Sequence, residues 1–264
     1  MQHKLDIIDI HAHIYPDKIS AKAVSNIGSF YNEPMEGKGT AQDLAKHCRQ
    51  AGIQKAVISS SATTSAQVKN INDFIAHICH DYPHFIGLGT LHHHLDDPKA
   101  EVERILKLGL KGIKIHPDFQ KIEIDHPLMF PLYEAVEGRL PILFHIGDNR
   151  IDYSNPLRLS RILKSFPGLT VIAAHLGAYR MWDRLGEFFT EKNVYLDTSS
   201  TLMYIDKEQA AKFIRSYGAD KILFGTDYPM WTHKNELQRF LSLGLTFEEN
   251  KKILAENAKK LFGI

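Results

Sequence analysis

The sequence predicts an α/β fold built from repeated strand and helix units. Short apolar runs recur along the whole chain of 264 residues, and several of them end in a histidine or an aspartate. Stretches with helical periodicity lie between these runs. Because α/β barrels commonly reach this length as one unit, we expect a single domain over residues 1–264.

The order of the predicted elements follows these apolar runs. We predict strands over residues 5–11, 55–59, 85–91, 111–116, 140–144, 170–174, 194–197 and 221–226. Helices are predicted over Ala41–Ala51, with Thr40 as N-cap, and over residues 98–108, since both show apolar side chains on one side. A capping box at residues 246–249 opens the final helix. The long aromatic stretch 15–39 is expected to be a loop that covers the pocket.

The first strand carries two histidines at alternate positions. His11 and His13 are separated by one residue. Successive side chains of an extended segment point to opposite faces, so these two imidazoles lie on the same face. The pair can therefore bind one cation.

Later strands end in further ligand or proton-transfer residues. His145 follows the fifth run, His175 the sixth and Asp227 the eighth. In parallel α/β sheets the site forms at the carboxyl ends of the strands, so these residues are expected to meet there. Several imidazoles with one carboxylate suit zinc or a similar divalent first-row metal, with one position left for water.

These motifs together resemble the amidohydrolase superfamily, and within it amidohydrolase family 2, which contains both hydrolases and non-oxidative decarboxylases. The resemblance rests on Asp9-Ile10-His11-Ala12-His13, Gly112-Ile113-Lys114-Ile115-His116-Pro117, Phe144-His145, Ala174-His175-Leu176-Gly177, Phe224-Gly225-Thr226-Asp227-Tyr228-Pro229 and Asn257-Ala258-Lys259-Lys260-Leu261-Phe262. It implies a single distorted (β/α)8 TIM barrel with its metal at the carboxyl-terminal mouth.

The resemblance also implies roles for the strand-end residues. The implied metal ligands are His11, His13, His145 and Asp227. Asp227 and His175 would act as the catalytic residues that manage the proton, although in binuclear relatives the residue at the place of His175 binds a second ion. We expect one divalent metal, with zinc first and manganese, iron or cobalt as alternatives.

Four further residues are predicted to bind the substrate: Lys114, His116, Tyr228 and Trp231. The first two share one face of the fourth strand, and the other two follow Asp227 within four residues. Each has an alternative. Lys114 could instead be buried with its amine against an interior carboxylate. In binuclear relatives, a lysine in this region bridges the two ions. Tyr228 and Trp231 could simply pack at the rim of the barrel.

The main functional hypothesis is a metal-dependent hydrolase in which an activated water attacks an amide, lactone or ester-like bond. The alternative is a metal-dependent non-oxidative decarboxylase of an aromatic or unsaturated carboxylic acid. A third hypothesis, from another class, is a barrel that binds a metal or ligand without turnover.

Composition restricts the partners. Lys and Arg number 32 against 31 Asp and Glu, which leaves a formal net charge of +1. Nucleic-acid and anionic-membrane binders need concentrated positive charge, so a small-molecule substrate is expected instead. Because the sequence shows neither the apolar core of a signal peptide nor a run long enough to cross a bilayer, we expect a cytoplasmic protein. A homodimer would fit the family resemblance.

Overall fold

The computed structural model describes residues 5–184, 189 and 193–264. The strands in these ranges are β1 (Ile8–His13), β2 (Lys55–Ser59), β3 (Phe85–Gly87), β4 (Gly89–Thr90), β5 (Ile113–Ile115), β6 (Ile142–Phe144), β7 (Val171–Ala173), β8 (Val194–Asp197) and β9 (Ile222–Leu223). The helices are α1 (Asp17–Tyr31), α2 (Ala41–Ala51), α3 (Val68–Asp81), α4 (Pro98–Lys107), α5 (Pro117–Gln120), α6 (Phe130–Val136), α7 (Pro156–Ser165), α8 (Lys207–Tyr217), α9 (His233–Leu241), α10 (Phe247–Lys251) and α11 (Asn257–Phe262).

The described chain forms two compact units, each assembled from separate stretches of sequence. Unit 1 contains residues 5–59, 82–86 and 198–264. Unit 2 contains residues 60–81 and those residues of 87–197 that the structure describes. The expectation of one domain over residues 1–264 stays a prediction.

In unit 1, β1 forms backbone hydrogen bonds on both of its sides. β1 pairs in parallel with β2, with Ile8 beside Lys55 and His13 beside Ser59. On its other side, the segment that follows β9 runs along β1, and the Asp227 N–H donates to the His11 carbonyl at 2.8 Å. These backbone bonds place the end of β1 next to the end of the last strand.

In unit 2, the strands β4, β5, β6, β7 and β8 follow one another in a parallel sheet. In its register, Ile113 lies beside Ile142, which lies beside Val171. All three side chains are fully buried. Parallel strands covered on both faces are apolar along most of their length, which is why these short runs were recognisable in the sequence.

Several predicted elements are confirmed with their predicted bounds. The helix Ala41–Ala51 forms, and the Thr40 side chain accepts from the Asp43 N–H. The capping box at Thr246 is also present. The predicted third strand is broken into β3 and β4 at Leu88.

The expectation of a loop over residues 15–39 is wrong for its first part, which forms α1. This helix buries only Ser20 and Tyr31 among its residues. It therefore lacks the continuous apolar face by which the other helices were recognised. No helix within the described ranges is both long and apolar enough to cross a membrane.

Gly147, which follows β6 in unit 2, is predicted to be intolerant of a side chain. Its φ is +90°, and an added Cβ would lie 2.5 Å from the Tyr179 backbone nitrogen. Gly147→Ala should lower the free energy of unfolding through the strain of a positive φ and, in addition, through a steric clash that costs about 1–3 kcal/mol. The clash is costly because the Tyr179 backbone cannot move aside easily. Denaturant unfolding measures this.

Gly52 supplies the matched control. Its φ is +74°, and a Cβ there would meet nothing within 4 Å. Gly52→Ala therefore carries the backbone penalty without the steric one. Equal losses of stability in the two variants would contradict the steric argument.

Candidate metal centre

Three possible ligand atoms converge in unit 1. The Nε2 atoms of His11 and His13 lie 3.1 Å apart. The Asp227 Oδ1 atom lies 3.6 Å from the His11 Nε2 and 3.3 Å from the His13 Nε2. His11 is buried, whereas the side chains of His13 and Asp227 are 13% and 14% exposed, so the group is open on one side.

The spacing of these three atoms fits a single first-row metal ion. Two ligands bonded at ~2.1 Å lie roughly 3.0 Å apart at a right angle and about 3.4 Å apart at a tetrahedral angle. The His11–His13 and His13–Asp227 separations, 3.1 and 3.3 Å, fall within that range, and the His11–Asp227 separation of 3.6 Å is slightly longer. Two imidazoles with one carboxylate are also a donor set that such ions accept.

Serine hydroxyls hold the opposite nitrogens of both imidazoles. The His11 Nδ1 atom lies 2.9 Å from the Ser199 Oγ, and the His13 Nδ1 atom lies 3.2 Å from the Ser59 Oγ. With the proton on Nδ1 donated to serine, each Nε2 presents a lone pair to the centre. Such outer contacts fix the tautomer and ring orientation of metal-binding histidines.

The buried carboxylate of Asp9 ties the two ligand-bearing segments together. Its Oδ1 accepts the backbone N–H groups of His11 and Thr226, both at 3.0 Å. Its Oδ2 accepts the Thr226 hydroxyl at 2.7 Å and lies 2.9 Å from the His233 Nε2. Sequence reasoning missed this role, although Asp9 shares the strand face of His11.

In unit 2, the predicted histidines His145 and His175, which follow β6 and β7, lie next to each other. The His145 Nδ1 lies 3.0 Å from the His175 Nε2. On the far side of the ring, the His145 Nε2 lies 3.4 Å from the Asp118 Oδ2. Burial raises the pKa of Asp118 to about 7, although the hydrogen bond that its carboxylate accepts from Ser154 acts to lower that pKa.

His175 is held by its backbone as well as by its ring. Its N–H donates to the Asp197 Oδ1 at 3.0 Å, and its carbonyl accepts the Trp182 indole N–H at 3.1 Å. Its φ of +62° is rare for a residue with a side chain. Such strain persists only where the surroundings enforce it, which is common at functional sites.

Of the residues predicted to contact substrate, those in unit 2 are buried. Lys114 is 1% exposed. The ring of His116 stacks on Phe119 at 3.7 Å and on His145 at 4.2 Å between centroids. Both faces of the His116 ring are therefore covered by protein.

The two aromatic residues after Asp227 both use their polar atoms within unit 1. The Tyr228 hydroxyl donates to the Asp43 carboxylate at 2.7 Å and accepts the Gly39 N–H at 3.2 Å. The Trp231 indole N–H donates to the Ser200 hydroxyl at 3.0 Å. Substrate contact by either residue stays a prediction.

Comparison with known proteins assigns the chain to a family. The family model described as amidohydrolase, family 2, matches residues 8–264. The chain belongs to the amidohydrolase family. This confirms the resemblance that the strand-end motifs predicted.

Relatives of this chain include a gamma-resorcylate decarboxylase from Polaromonas sp., which is 24% identical over 78% of each chain. An uncharacterised TIM-barrel protein from Bordetella bronchiseptica has a similar structure, with a TM-score of 0.80, 24% identity and coverage of 98% and 99% of the two chains. A 5-carboxyvanillate decarboxylase from Novosphingobium aromaticivorans, solved with bound manganese, gives a TM-score of 0.74 at 20% identity, with 100% and 98% covered. The fold is therefore that of a TIM barrel, as predicted.

These relatives correct the main functional hypothesis. The prediction of a hydrolase that cleaves an amide, lactone or ester-like bond is wrong, because the two curated relatives that match are decarboxylases, of gamma-resorcylate and of 2-amino-3-carboxymuconate-6-semialdehyde. The sequence motifs are shared by both reaction types, so they did not distinguish them. Membership of the family supports an enzyme rather than a non-catalytic barrel.

Burial shapes the electrostatics around Asp227. Burial raises the pKa of Tyr15 above its usual range, and the negative charge of Asp227 raises it further by a smaller amount. The Tyr15 phenol therefore stays protonated. Burial also raises the pKa of Glu236 to about 8, against the opposing effect of the Arg239 guanidinium that donates to its carboxyl group. Glu236 is therefore expected to be neutral in the folded protein at neutral pH.

Glu236 is predicted to make stability depend on pH. The folded state keeps its proton up to about pH 8, whereas the unfolded chain releases it near the ordinary value of 4.5. Between these values the folded state binds more protons, so the free energy of unfolding falls as the pH rises. Glu236→Gln removes the titration, and its stability relative to wild type should increase from about pH 5 to pH 8.

Denaturant unfolding at several pH values measures this difference. Glu248→Gln, at an exposed position of α10, is the control and should show little change across the range. A relative stability of Glu236→Gln that stayed constant or fell with pH would mean that Arg239 keeps Glu236 ionised.

Proposed function

We propose that this protein is a metal-dependent, non-oxidative decarboxylase of a small aromatic or unsaturated carboxylic acid. The observation that carries the proposal is the convergence of the His11, His13 and Asp227 ligand atoms. It occurs in a chain whose relatives include decarboxylases of gamma-resorcylate and of 5-carboxyvanillate.

His11, His13 and Asp227 would hold one divalent ion, and we retain His145 as a further ligand on the basis of the family motif. Zinc was the expected metal, but a related decarboxylase holds manganese, so we propose a divalent first-row metal and test both. When bound, such an ion supplies positive charge that attracts and orients the oxygen atoms of an anionic acid.

The reaction needs one proton delivered to carbon. The ring or alkene carbon that bears the carboxylate gains a proton, the bond from that carbon to the carboxylate breaks, and its electron pair stays with the carbon as carbon dioxide leaves. We propose that His175 and Asp227 handle this proton. Bonds to Asp197 and Trp182 hold the backbone of His175, and the contact with His145 orients its ring, as general acid catalysis requires.

The proposed substrate is a small carboxylic acid that contacts Lys114, His116 or Trp231. His116 would offer its ring edge, since its faces are covered by Phe119 and His145. Tyr228 would contribute less through its hydroxyl, because Asp43 and Gly39 already engage that group.

Turnover tests the proposed reaction directly. Metal-free protein reconstituted with Mn²⁺ or with Zn²⁺ should convert gamma-resorcylate, 5-carboxyvanillate or a related carboxylated phenol. One carbon dioxide should be released for each decarboxylated product, measured by gas analysis and chromatography. Metal-loaded protein that left all these acids unchanged would contradict the proposal.

The metal assignment predicts the outcome of removing two ligands. His11→Ala with His13→Ala should reduce bound metal from about one equivalent per chain to almost none, because the remaining ligands, Asp227 and His145, are too few to hold such an ion tightly. Elemental mass spectrometry gives the content. The control pair His77→Ala and His80→Ala removes two exposed histidines and should keep the full equivalent. Full metal in the first pair would refute the site.

His175 is predicted to act in turnover rather than in holding the metal. His175→Asn should keep the metal and reduce kcat by about 10²–10⁴-fold, the usual contribution of a general acid. Asparagine tolerates the positive φ at this position, so the fold should be preserved. His94→Asn, at an exposed position, should leave both measurements unchanged. Loss of metal from His175→Asn would instead make His175 a ligand.

A further inference from the structure

Ser200 lies against the side of the Asp227 carboxylate that faces away from the two histidines. The Ser200 hydroxyl donates to the Asp227 Oδ2 at 2.5 Å. The other oxygen, Oδ1, is the one that approaches His11 and His13. The two carboxylate oxygens therefore have different partners.

The direction of this hydrogen bond is fixed by Trp231. The Trp231 indole N–H lies 3.0 Å from the Ser200 Oγ, and an indole nitrogen can only donate. Ser200 must therefore accept from Trp231 with a lone pair, which leaves its proton for an acceptor. The Asp227 Oδ2 is nearer than the other acceptor, the Met230 sulfur at 3.6 Å.

The surrounding structure holds both Ser200 and Trp231 in place. Ser200 is fully buried and has a φ of +45°, a strained value for a residue with a side chain. The Trp231 ring is largely buried, and the Arg239 guanidinium lies 5.5 Å from its centroid. Strain that persists at a buried position indicates that the surrounding structure requires that conformation.

We propose that Trp231 and Ser200 form a hydrogen-bond relay that positions the Asp227 carboxylate for metal binding. Ser200 holds Oδ2, so Oδ1 is the oxygen presented beside the histidine nitrogens. Ser200 is thus a positioning residue that acts through Asp227. This inference rests on the metal centre of the proposed function but not on the reaction.

The test measures Mn²⁺ affinity, using the electron paramagnetic resonance signal of free Mn²⁺ in titrations of metal-free protein. Ser200→Ala should raise the dissociation constant by about 10–100-fold, the usual effect of losing an outer contact to a ligand. Ser200→Gly should give the same loss, because glycine relieves the positive φ but also lacks the hydroxyl. With Co²⁺, both variants should show an altered visible absorption spectrum.

Trp231→Phe removes the indole N–H and keeps an aromatic ring, so it should raise the dissociation constant by a smaller factor. Combining it with Ser200→Ala should add nothing further, because no hydroxyl remains for the indole to orient. Ser242→Ala is the control, since that hydroxyl only donates to the Arg239 carbonyl, and it should bind Mn²⁺ like wild type.

The outcomes separate this inference from the proposed function. If wild-type protein bound Mn²⁺ and Ser200→Ala bound it within about twofold as tightly, the relay would be refuted while the metal centre stood. Additive effects of Ser200→Ala and Trp231→Phe would also refute the relay. If the wild-type protein took up no metal, both the centre and the relay would be wrong.

Discussion

The buried carboxylate of Asp9 is the constraint on which the candidate metal centre depends. A carboxylate removed from water must find donors within the protein, or the fold loses several kcal/mol. Asp9 takes them from the backbone of β1, from Thr226 beside Asp227, and from His233. Satisfying this one group therefore fixes the position of His11 relative to Asp227.

Around that constraint, the protein places strained backbone where ligand orientation matters. Asp227 and Ser200 in unit 1, and His175 in unit 2, all have positive φ values. Each also has side-chain or backbone bonds that hold it there, such as the Ser200 hydroxyl on the Asp227 Oδ2. The cost of each such residue is about 1–3 kcal/mol, which the rest of the fold must offset.

The sequence was sufficient for features that repeat with a fixed period. The alternation of a strand predicted that His11 and His13 share a face, and buried parallel strands were visible as apolar runs. The sequence was insufficient for side-chain contacts between residues that are far apart in the chain, because such contacts leave no local pattern. Examples are the contact of Ser200 with Asp227 and that of His233 with Asp9. The helix α1 was missed because it buries few of its residues. The reaction type was missed because hydrolases and decarboxylases share the ligand motifs.

The bond between Asp9 and Thr226 joins residues that are 217 positions apart in the chain. Closing so long a loop has an entropic cost before any contact compensates for it, so this pairing is expected late in folding. The three proposed ligands, His11, His13 and Asp227, can come together only after that closure. Metal capture by this protein would thus report that the first strand and the segment after the last strand have come together, and a partly synthesised chain could not hold the ion by these three residues.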